Sequence, residues 1–124
     1  MNIRFVLSFF LLLCTFLVHA QTKLTDSLSS QLGKSTVDTT KVLLLVELAK
    51  EFVPIDLKKS EEYAQSAQQL AEKINYIKGL SAALNIHGLV IAYLGDYTKG
   101  VAMLKRALEI RKSLNDLHGA SGTL

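Results

Sequence analysis

Residues 80–114 read LSAALNIHGLVIAYLGDYTKGVAMLKRALEIRKSL, and this stretch decides the fold. Its first half, 80–94, has no charged residue when the histidine is neutral, whereas in 98–114 apolar residues recur every three or four positions between Lys and Arg. That second spacing is typical of an amphipathic helix with one buried stripe. Between the halves stand Gly95, which favours a helix end, and Asp96, which favours a helix start. The stretch therefore predicts two helices joined by a tight turn, the first of them buried on most sides.

The same plan occurs forty residues earlier in the chain. The segment 57–74 carries a helical stripe, 42–53 is the matching apolar helix, and Pro54 and Asp56 provide the break between them. A shift of forty superimposes six identical pairs, namely Leu44 and Leu84, Asp56 and Asp96, Lys59 and Lys99, Ala67 and Ala107, Asn75 and Asn115, and Gly79 and Gly119. The sequence therefore predicts an all-α protein in which antiparallel helix pairs stack side by side.

The remaining segments extend this plan at both ends. We expect a short helix at 22–32, ended by Gly33, to cap the array, with Asp38 as the N-cap of the next helix. Gly119, Ser121 and Leu124 repeat Gly79, Ser81 and Leu84. The expected organisation is a leader at 1–20, a capping helix and linker at 21–37, a helix pair at 38–78, a second pair at 79–118, and the start of a further repeat at 119–124. Asn115–Gly119 form the linker between the second pair and that further repeat.

The N-terminus has the composition of an export signal. Arg4 gives a positive start, the stretch 5–18 is apolar, and Val18-His19-Ala20 fits a signal peptidase site, so we expect cleavage before Gln21. The alternative is a retained membrane anchor, although the apolar stretch is shorter than the roughly 20 residues that span a bilayer. Export to the periplasm or cell envelope is the prediction. Cys14 is the only cysteine, so the processed chain has no disulfide.

The overall charge is close to neutral for a chain of this length. Lys and Arg number 14 against 11 Asp and Glu, and the loss of Arg4 with the leader lowers the excess from three to two. A nucleic-acid binder is expected to have its basic residues clustered on one face. In this sequence they are scattered. We therefore expect no nucleic-acid partner.

Three short stretches carry a family resemblance. Asn85-Ile86-His87-Gly88, Gly95-Asp96-Tyr97 and Ala107-Leu108-Glu109-Ile110 resemble a tetratricopeptide repeat laid over 81–114. The resemblance implies a right-handed superhelix of helix pairs, in which Gly88 and Ala107 are small contact residues, Gly95, Asp96 and Tyr97 form the turn, and Ala67 is the small residue of the earlier copy. The period of forty exceeds the usual unit of about 34 residues and also suits HEAT or armadillo repeats. Leu48 stands where Gly88 would be, so the first pair is a degenerate copy.

The resemblance also implies a function. The arrangement of leader, short helix and long repeats is similar to the exported N-terminal regions of bacterial sensor histidine kinases. It implies protein or peptide binding on a concave face lined by Asn85, Leu89, Ala92, Tyr93, Leu45 and Ala49, with no cofactor and no small-molecule substrate. Membrane attachment would come only from a further C-terminal segment. The alternative is a structural spacer or small adaptor without a ligand of its own.

No residues form a catalytic or metal-binding pattern. His87 has no second histidine or carboxylate at i+3 or i+4, so it is interpreted as a hydrogen-bonded core or groove histidine. His118 is interpreted as a solvated loop residue. Glu47 and Glu51 are four apart, yet Lys50 lies between them and they are interpreted as solvating an apolar helix. We therefore expect no enzymatic activity in this chain.

The predicted array of helix pairs ends in an open face. Roughly three repeats are needed before a stacked core closes, and this sequence contains two and the start of a third. We expect the chain to be the front part of a longer protein or a truncated reading frame. When it stands alone, we expect it to be marginally stable or to self-associate through the open face of helices 81–94 and 98–114.

Overall fold

The computed structural model describes residues 2–34 and 37–122, with side chains for all of these except Val18, Lys34 and 116–122. The described part is entirely helical, with no strand. Its elements in chain order are α1 (Ile3–Lys34), α2 (Asp38–Phe52), α3 (Leu57–Lys73), α4 (Ile77–Tyr93) and α5 (Tyr97–Gly122). The predicted all-α class is confirmed.

The helices pack in the order of the chain. Each of α1 to α4 contacts the helix that follows it, and the first helices of the two pairs, α2 and α4, also contact each other. Helix α4 therefore touches α2, α3 and α5, which explains why it has no charged residue between Leu80 and Leu94. Ten of its residues are buried, so the expectation that this helix lies inside the array is confirmed.

Matching side chains begin the second helix of each pair. Asp56 accepts a hydrogen bond from the Lys59 backbone N–H at 3.1 Å, and Asp96 accepts one from the Lys99 backbone N–H at 3.0 Å. Each aspartate satisfies an amide that the first turn of a helix leaves without an intrahelical partner. Both predicted caps are confirmed. Asp38, by contrast, is the first residue of α2 and the cap position is Val37, which makes no side-chain cap bond.

Left-handed residues end α3 and α4. Gly95 has φ +109° and Asn75 has φ +54°. The backbone N–H after each of them returns to a carbonyl five residues earlier, from Asp96 to Ile91 at 3.1 Å and from Tyr76 to Ala71 at 2.9 Å. This pattern satisfies the last carbonyls of a helix and turns the chain sharply. It fixes the antiparallel course of α3 to α4 and of α4 to α5.

Helices α4 and α5 touch through backbone at two glycines. A Cβ on Gly88 would lie 2.8 Å from the Gly100 carbonyl oxygen, and a Cβ on Gly100 would lie 2.6 Å from the Gly88 carbonyl oxygen. The predicted contact role of Gly88 is thus observed, with Gly100 as its partner. Forty residues earlier Leu48 and Ser60 occupy these positions, and both are fully buried. Ser60 Oγ donates to the Ala49 carbonyl at 2.6 Å, so a hydrogen bond joins α2 to α3 there.

Small and branched apolar residues form the core between these helices. One cluster joins α2, α3 and α4 through Val46, Ala49, Ala64, Ala67, Ala83, Ile86 and Val90. A second extends to α5 through Val42, Ala71, Leu80, Leu84 and Ala107. Ala67 and Ala107, which the repeat pattern pairs, are both fully buried. Alanine at these points allows close helix packing, and the two clusters bind the helix pairs into one body.

The N-terminal helix differs from the expected short cap. We expected a separate helix at 22–32, but α1 runs without a break from Ile3 to Lys34. No Gly or Pro lies between Ile3 and Gly33, and the hydroxyls of Thr15, Thr22 and Thr25 bond to carbonyls of the preceding turn instead of capping a new helix. The late part of α1 does cover the array, because Thr25, Leu28 and Leu32 are half-buried and α2 is the helix that α1 contacts.

The early part of α1 is fully open to solvent. Among the described residues it is the one helix that is long and apolar enough to cross a membrane by length and composition, with a mean hydropathy of 2.1 and no part of that window buried. Signal sequences satisfy the same criterion. The feature agrees with either a leader or an anchor and does not distinguish them.

The C-terminal helix is longer than expected. The predicted linker at 115–119 and the new repeat at 119–124 are replaced by a continuation of α5 to Gly122. Asn75 leaves α3 in a left-handed conformation, and Ile74 and Tyr76 then pack against the cluster that contains Val42 and Leu80. Asn115, the residue that matches Asn75, lies within α5. The His118 side chain and Leu124 lie outside the part of the chain that the structure describes, and so do the predictions made for them.

Candidate functional site

An open groove lies where α2, α4 and the late part of α5 meet. Its volume is about 660 Å³, within the roughly 300–1,000 Å³ range of binding clefts. The lining residues are Leu43 and Lys50 of α2, Lys78, Ser81, Ala82 and Asn85 of α4, and Arg111, Leu114 and Asn115 of α5. Three helices thus contribute one wall each. A linear segment of another chain can enter because one side is open.

The antiparallel pairing of α4 and α5 positions the groove. The turn at Gly95 returns α5 along α4, so the end of α5 lies beside the beginning of α4. Ser81 Oγ donates to the Ala107 carbonyl at 3.1 Å and joins the two helices next to the groove. The glycine contact further along holds them at backbone distance. All nine lining residues therefore lie on helices.

The groove is positively charged. Lys50, Lys78 and Arg111 line it, and none of the acidic side chains that the structure describes does. Lys50 is neutralised in part, because its Nζ lies 2.7 Å from Glu47 Oε1. Lys78 and Arg111 make no ion pair within the described residues. Asn85 and Asn115 add amide groups that both donate and accept hydrogen bonds. The groove therefore combines apolar walls with two cations that form no ion pair with the side chains described.

The predicted binding residues are only partly brought together. Asn85 is exposed and lines the groove. Ala49 is fully buried in the core, and Leu45 and Leu89 are half-buried against the same cluster. These three residues do not line the groove, because they face the neighbouring helices.

The other two predicted residues lie near the opposite end of α4. Ala92 is half-buried, and a Cβ on Gly100 would lie 2.9 Å from its Cβ. Tyr93 is 59% exposed and does not line the groove. Of the predicted turn residues, Tyr97 is 71% exposed. Of the six residues predicted for the concave face, Asn85 is the one that lines this groove.

The charged residues of the groove are not among the residues that the sequence predicts for a binding site. Lys78, Ala82 and Asn85 recur at spacings of four and three, which places them on one face of α4. Extending the stripe back from Asn85 would have found Lys78. Arg111 and Leu114 lie on α5. Only the packing of α5 against α4 brings them beside Lys78. No pattern in the sequence carries that information.

A second, polar cleft lies between α3 and α5, with His87 of α4 at its floor. His87 is 7% exposed, and its Nδ1 donates to Gln68 Oε1 at 2.7 Å. Gln68 Nε2 donates to Glu72 Oε1 at 3.3 Å, and Arg106 Nη1 donates to the same oxygen at 3.4 Å. The chain of hydrogen bonds thereby joins α4, α3 and α5. His87 is a hydrogen-bonded histidine, as its sequence context indicates.

The surroundings of His87 disfavour its charged form. Burial lowers the pKa of His87 below its usual 6.5, the Glu61 carboxylate opposes this, and the Lys99 ammonium lowers the pKa further. A charged imidazolium in this cleft would lie among Lys99 and Arg106 of α5, and among Glu61 and Glu72 of α3. No group of three or more His, Cys, Asp or Glu side chains that could hold a metal ion occurs among the described residues.

No family model, curated protein or solved structure matches this chain significantly.

Proposed function

We propose that the chain is an exported helical-repeat scaffold that binds a protein or peptide partner in the groove between α2, α4 and α5. The observation that carries the proposal is the groove itself, an open cleft of about 660 Å³ with apolar and polar walls. Clefts between packed helices are common binding sites for peptides. The tetratricopeptide resemblance of 81–114 supports the same function.

The groove would bind a segment by two kinds of contact. Leu43, Ala82 and Leu114 offer apolar surface for side chains of the partner. Asn85 and Asn115 offer amide groups that can pair with the main chain of an extended peptide. Because helices carry these residues, little ordering entropy is lost when the partner binds.

Export is part of the proposal. The apolar start of α1 and the Val18-His19-Ala20 site support a leader that is removed before Gln21. Expression with this leader in a bacterium, followed by intact mass measurement of the envelope fraction, tests it. A chain that begins at Gln21 is expected, and a chain that keeps residues 1–20 would instead indicate an anchor.

A longer signalling protein is the wider context that we propose. Its support is the resemblance of leader, capping helix and repeats to the sensory regions of exported histidine kinases. In that context the described helices would be the partner-binding part, and a signal would pass to a domain beyond them.

A structural spacer is the second candidate. It is favoured by the finding that five of the six predicted concave-face residues do not line the groove. A spacer would need the stacked helix pairs and no occupant of the groove.

Site-specific crosslinking in the bacterial envelope separates the two candidates. A photoreactive phenylalanine at Asn85 in the groove is compared with one at Gln69, an exposed residue of α3 that lines the other cleft. A partner-binding scaffold gives a discrete adduct at Asn85 that is absent at Gln69. The absence of any adduct at Asn85, or equal labelling at both sites, would contradict binding in the groove and favour the spacer.

A further inference from the structure

The charge of the groove identifies the kind of segment that fits it. We infer that the groove binds an acidic segment, one in which Asp or Glu side chains alternate with aliphatic ones. This inference rests on the proposed partner-binding function and adds the chemistry of the partner.

The groove brings together two cations from different helices. Lys78 of α4 and Arg111 of α5 both line it, and neither forms an ion pair with an acidic side chain that the structure describes. Two like charges that line one recess give it a positive potential, which attracts an anionic group. A carboxylate bound in the groove would form charge-assisted hydrogen bonds with them.

The apolar walls are the second argument, because they limit the class of anion. Leu43, Ala82 and Leu114 face the same space as the cations. Free phosphate or another small anion gains nothing from aliphatic walls, whereas a peptide with aliphatic side chains buries them there. The partner should therefore place carboxylates and aliphatic groups within a few residues of each other.

Nucleic acid fits the groove less well than such a peptide. None of the nine lining residues is aromatic, and stacking on aromatic side chains is the usual contact of single-stranded bases. Two cations in one recess also do not form the extended basic face that follows a phosphate backbone.

Charge-neutralised variants with matched controls test the inference. Lys78→Gln with Arg111→Gln removes the two groove cations. Lys73→Gln with Lys112→Gln changes the net charge equally at exposed residues outside the groove. Asn85→Trp, at an exposed groove residue, blocks the site without opening the core. All are made in the full chain, which nonionic detergent keeps in solution.

The probe is a displayed library of random twelve-residue peptides, selected on each variant and sequenced. Selection on the unaltered chain should enrich Asp and Glu next to Leu, Ile or Val. A selected peptide labelled with fluorescein should bind about tenfold more weakly to the Lys78→Gln, Arg111→Gln variant, the size expected for loss of a hydrogen bond to a charged group. Its affinity for the Lys73→Gln, Lys112→Gln control should change less than twofold. Affinity should also fall as salt rises from 50 to 500 mM.

Each other outcome has a distinct meaning. Selection of neutral or basic peptides that Asn85→Trp blocks would overturn the acidic inference and leave the proposed function standing. Failure to select any peptide that depends on Asn85 would overturn both. Binding of a duplex DNA oligonucleotide that requires Lys78 and Arg111 would overturn the inference by assigning the cations to phosphate.

Discussion

Replacing Gly100 by alanine tests the closest contact of the fold. A Cβ at this position would lie 2.6 Å from the Gly88 carbonyl oxygen, 2.9 Å from the Ala92 Cβ and 3.0 Å from the Ala92 backbone nitrogen. Two of these three atoms are backbone and cannot rotate away. Because C···O contacts normally measure about 3.3–3.6 Å, helix α5 must retreat from α4 by about 0.7–1.0 Å.

The energetic consequence follows from that displacement. A gap of this size forfeits about a quarter to a half of the dispersion energy of the contacts that it opens, and overpacking in cores typically costs about 1–3 kcal/mol. Alanine gains up to about 1 kcal/mol over glycine in a helix interior. Overpacking outweighs propensity, so we expect Gly100→Ala to lower the free energy of unfolding by about 1–2 kcal/mol. The melting temperature should fall by about 5–15 °C.

Urea unfolding followed by far-ultraviolet circular dichroism measures the change, with the full chain in nonionic detergent. Gly33→Ala is the matched control, since no heavy atom lies within 4 Å of a Cβ built there. This control should leave stability unchanged or raise it by up to about 1 kcal/mol. Gly100→Ala and Gly88→Ala together should cost less than the sum of the single changes, because the first already separates the helices. A Gly100→Ala chain that is as stable as the control would refute the backbone contact of α4 with α5.

Three other predictions concern the pH response, the caps and the open face. The folded-state pKa of His87 lies below its unfolded value. The stability that His87 contributes is therefore complete above about pH 6.5 and is lost as the pH falls towards the folded pKa. Thermal melts from pH 8 to 5 should show this loss of stability, and His87→Gln should make the loss smaller. Asp56→Ala and Asp96→Ala should each cost about 1 kcal/mol in urea unfolding, and clearly unequal costs would argue against equivalence of the two helix pairs. Val101 and Leu108 of α5 are 45% and 46% exposed. Light scattering should therefore find self-association of the chain, which Leu108→Glu should weaken and Lys112→Glu should not. A strictly monomeric unaltered chain would contradict this prediction.

The helix ends of the two pairs were predictable because local chemistry determines them. Asp56 and Asp96 cap backbone amides within the first turn of their own helices. Gly95 has a positive φ, which glycine adopts without a steric cost because it has no Cβ. The burial of Ala67 and Ala107 also followed from spacing, since a stripe at three- and four-residue intervals must face another helix. Each of these features depends on residues a few positions apart.

Features that depend on distant partners were not predictable in the same way. Asn75 and Asn115 match in sequence, yet of these two only Asn75 adopts a left-handed conformation. Tyr76, which follows Asn75, packs against a core cluster built from four helices. The groove was missed for the same reason: Lys78 and Arg111 meet only after α5 has folded back on α4. The repeat resemblance places Ala49 on the concave face, whereas the structure buries it fully among residues of α3 and α4.

The continuity of α1 has a consequence for processing of the chain. Removal of residues 1–20 would cut within a helix, so the amides of 21–24 would lose the carbonyls that they bond to. Thr22 would also lose its bond to the His19 carbonyl, and the new α-ammonium would stand at the positive pole of the remaining helix. Hydrogen exchange should therefore find the first turn of the processed chain frayed and protection beginning near Thr25, where the helix starts to rest on α2.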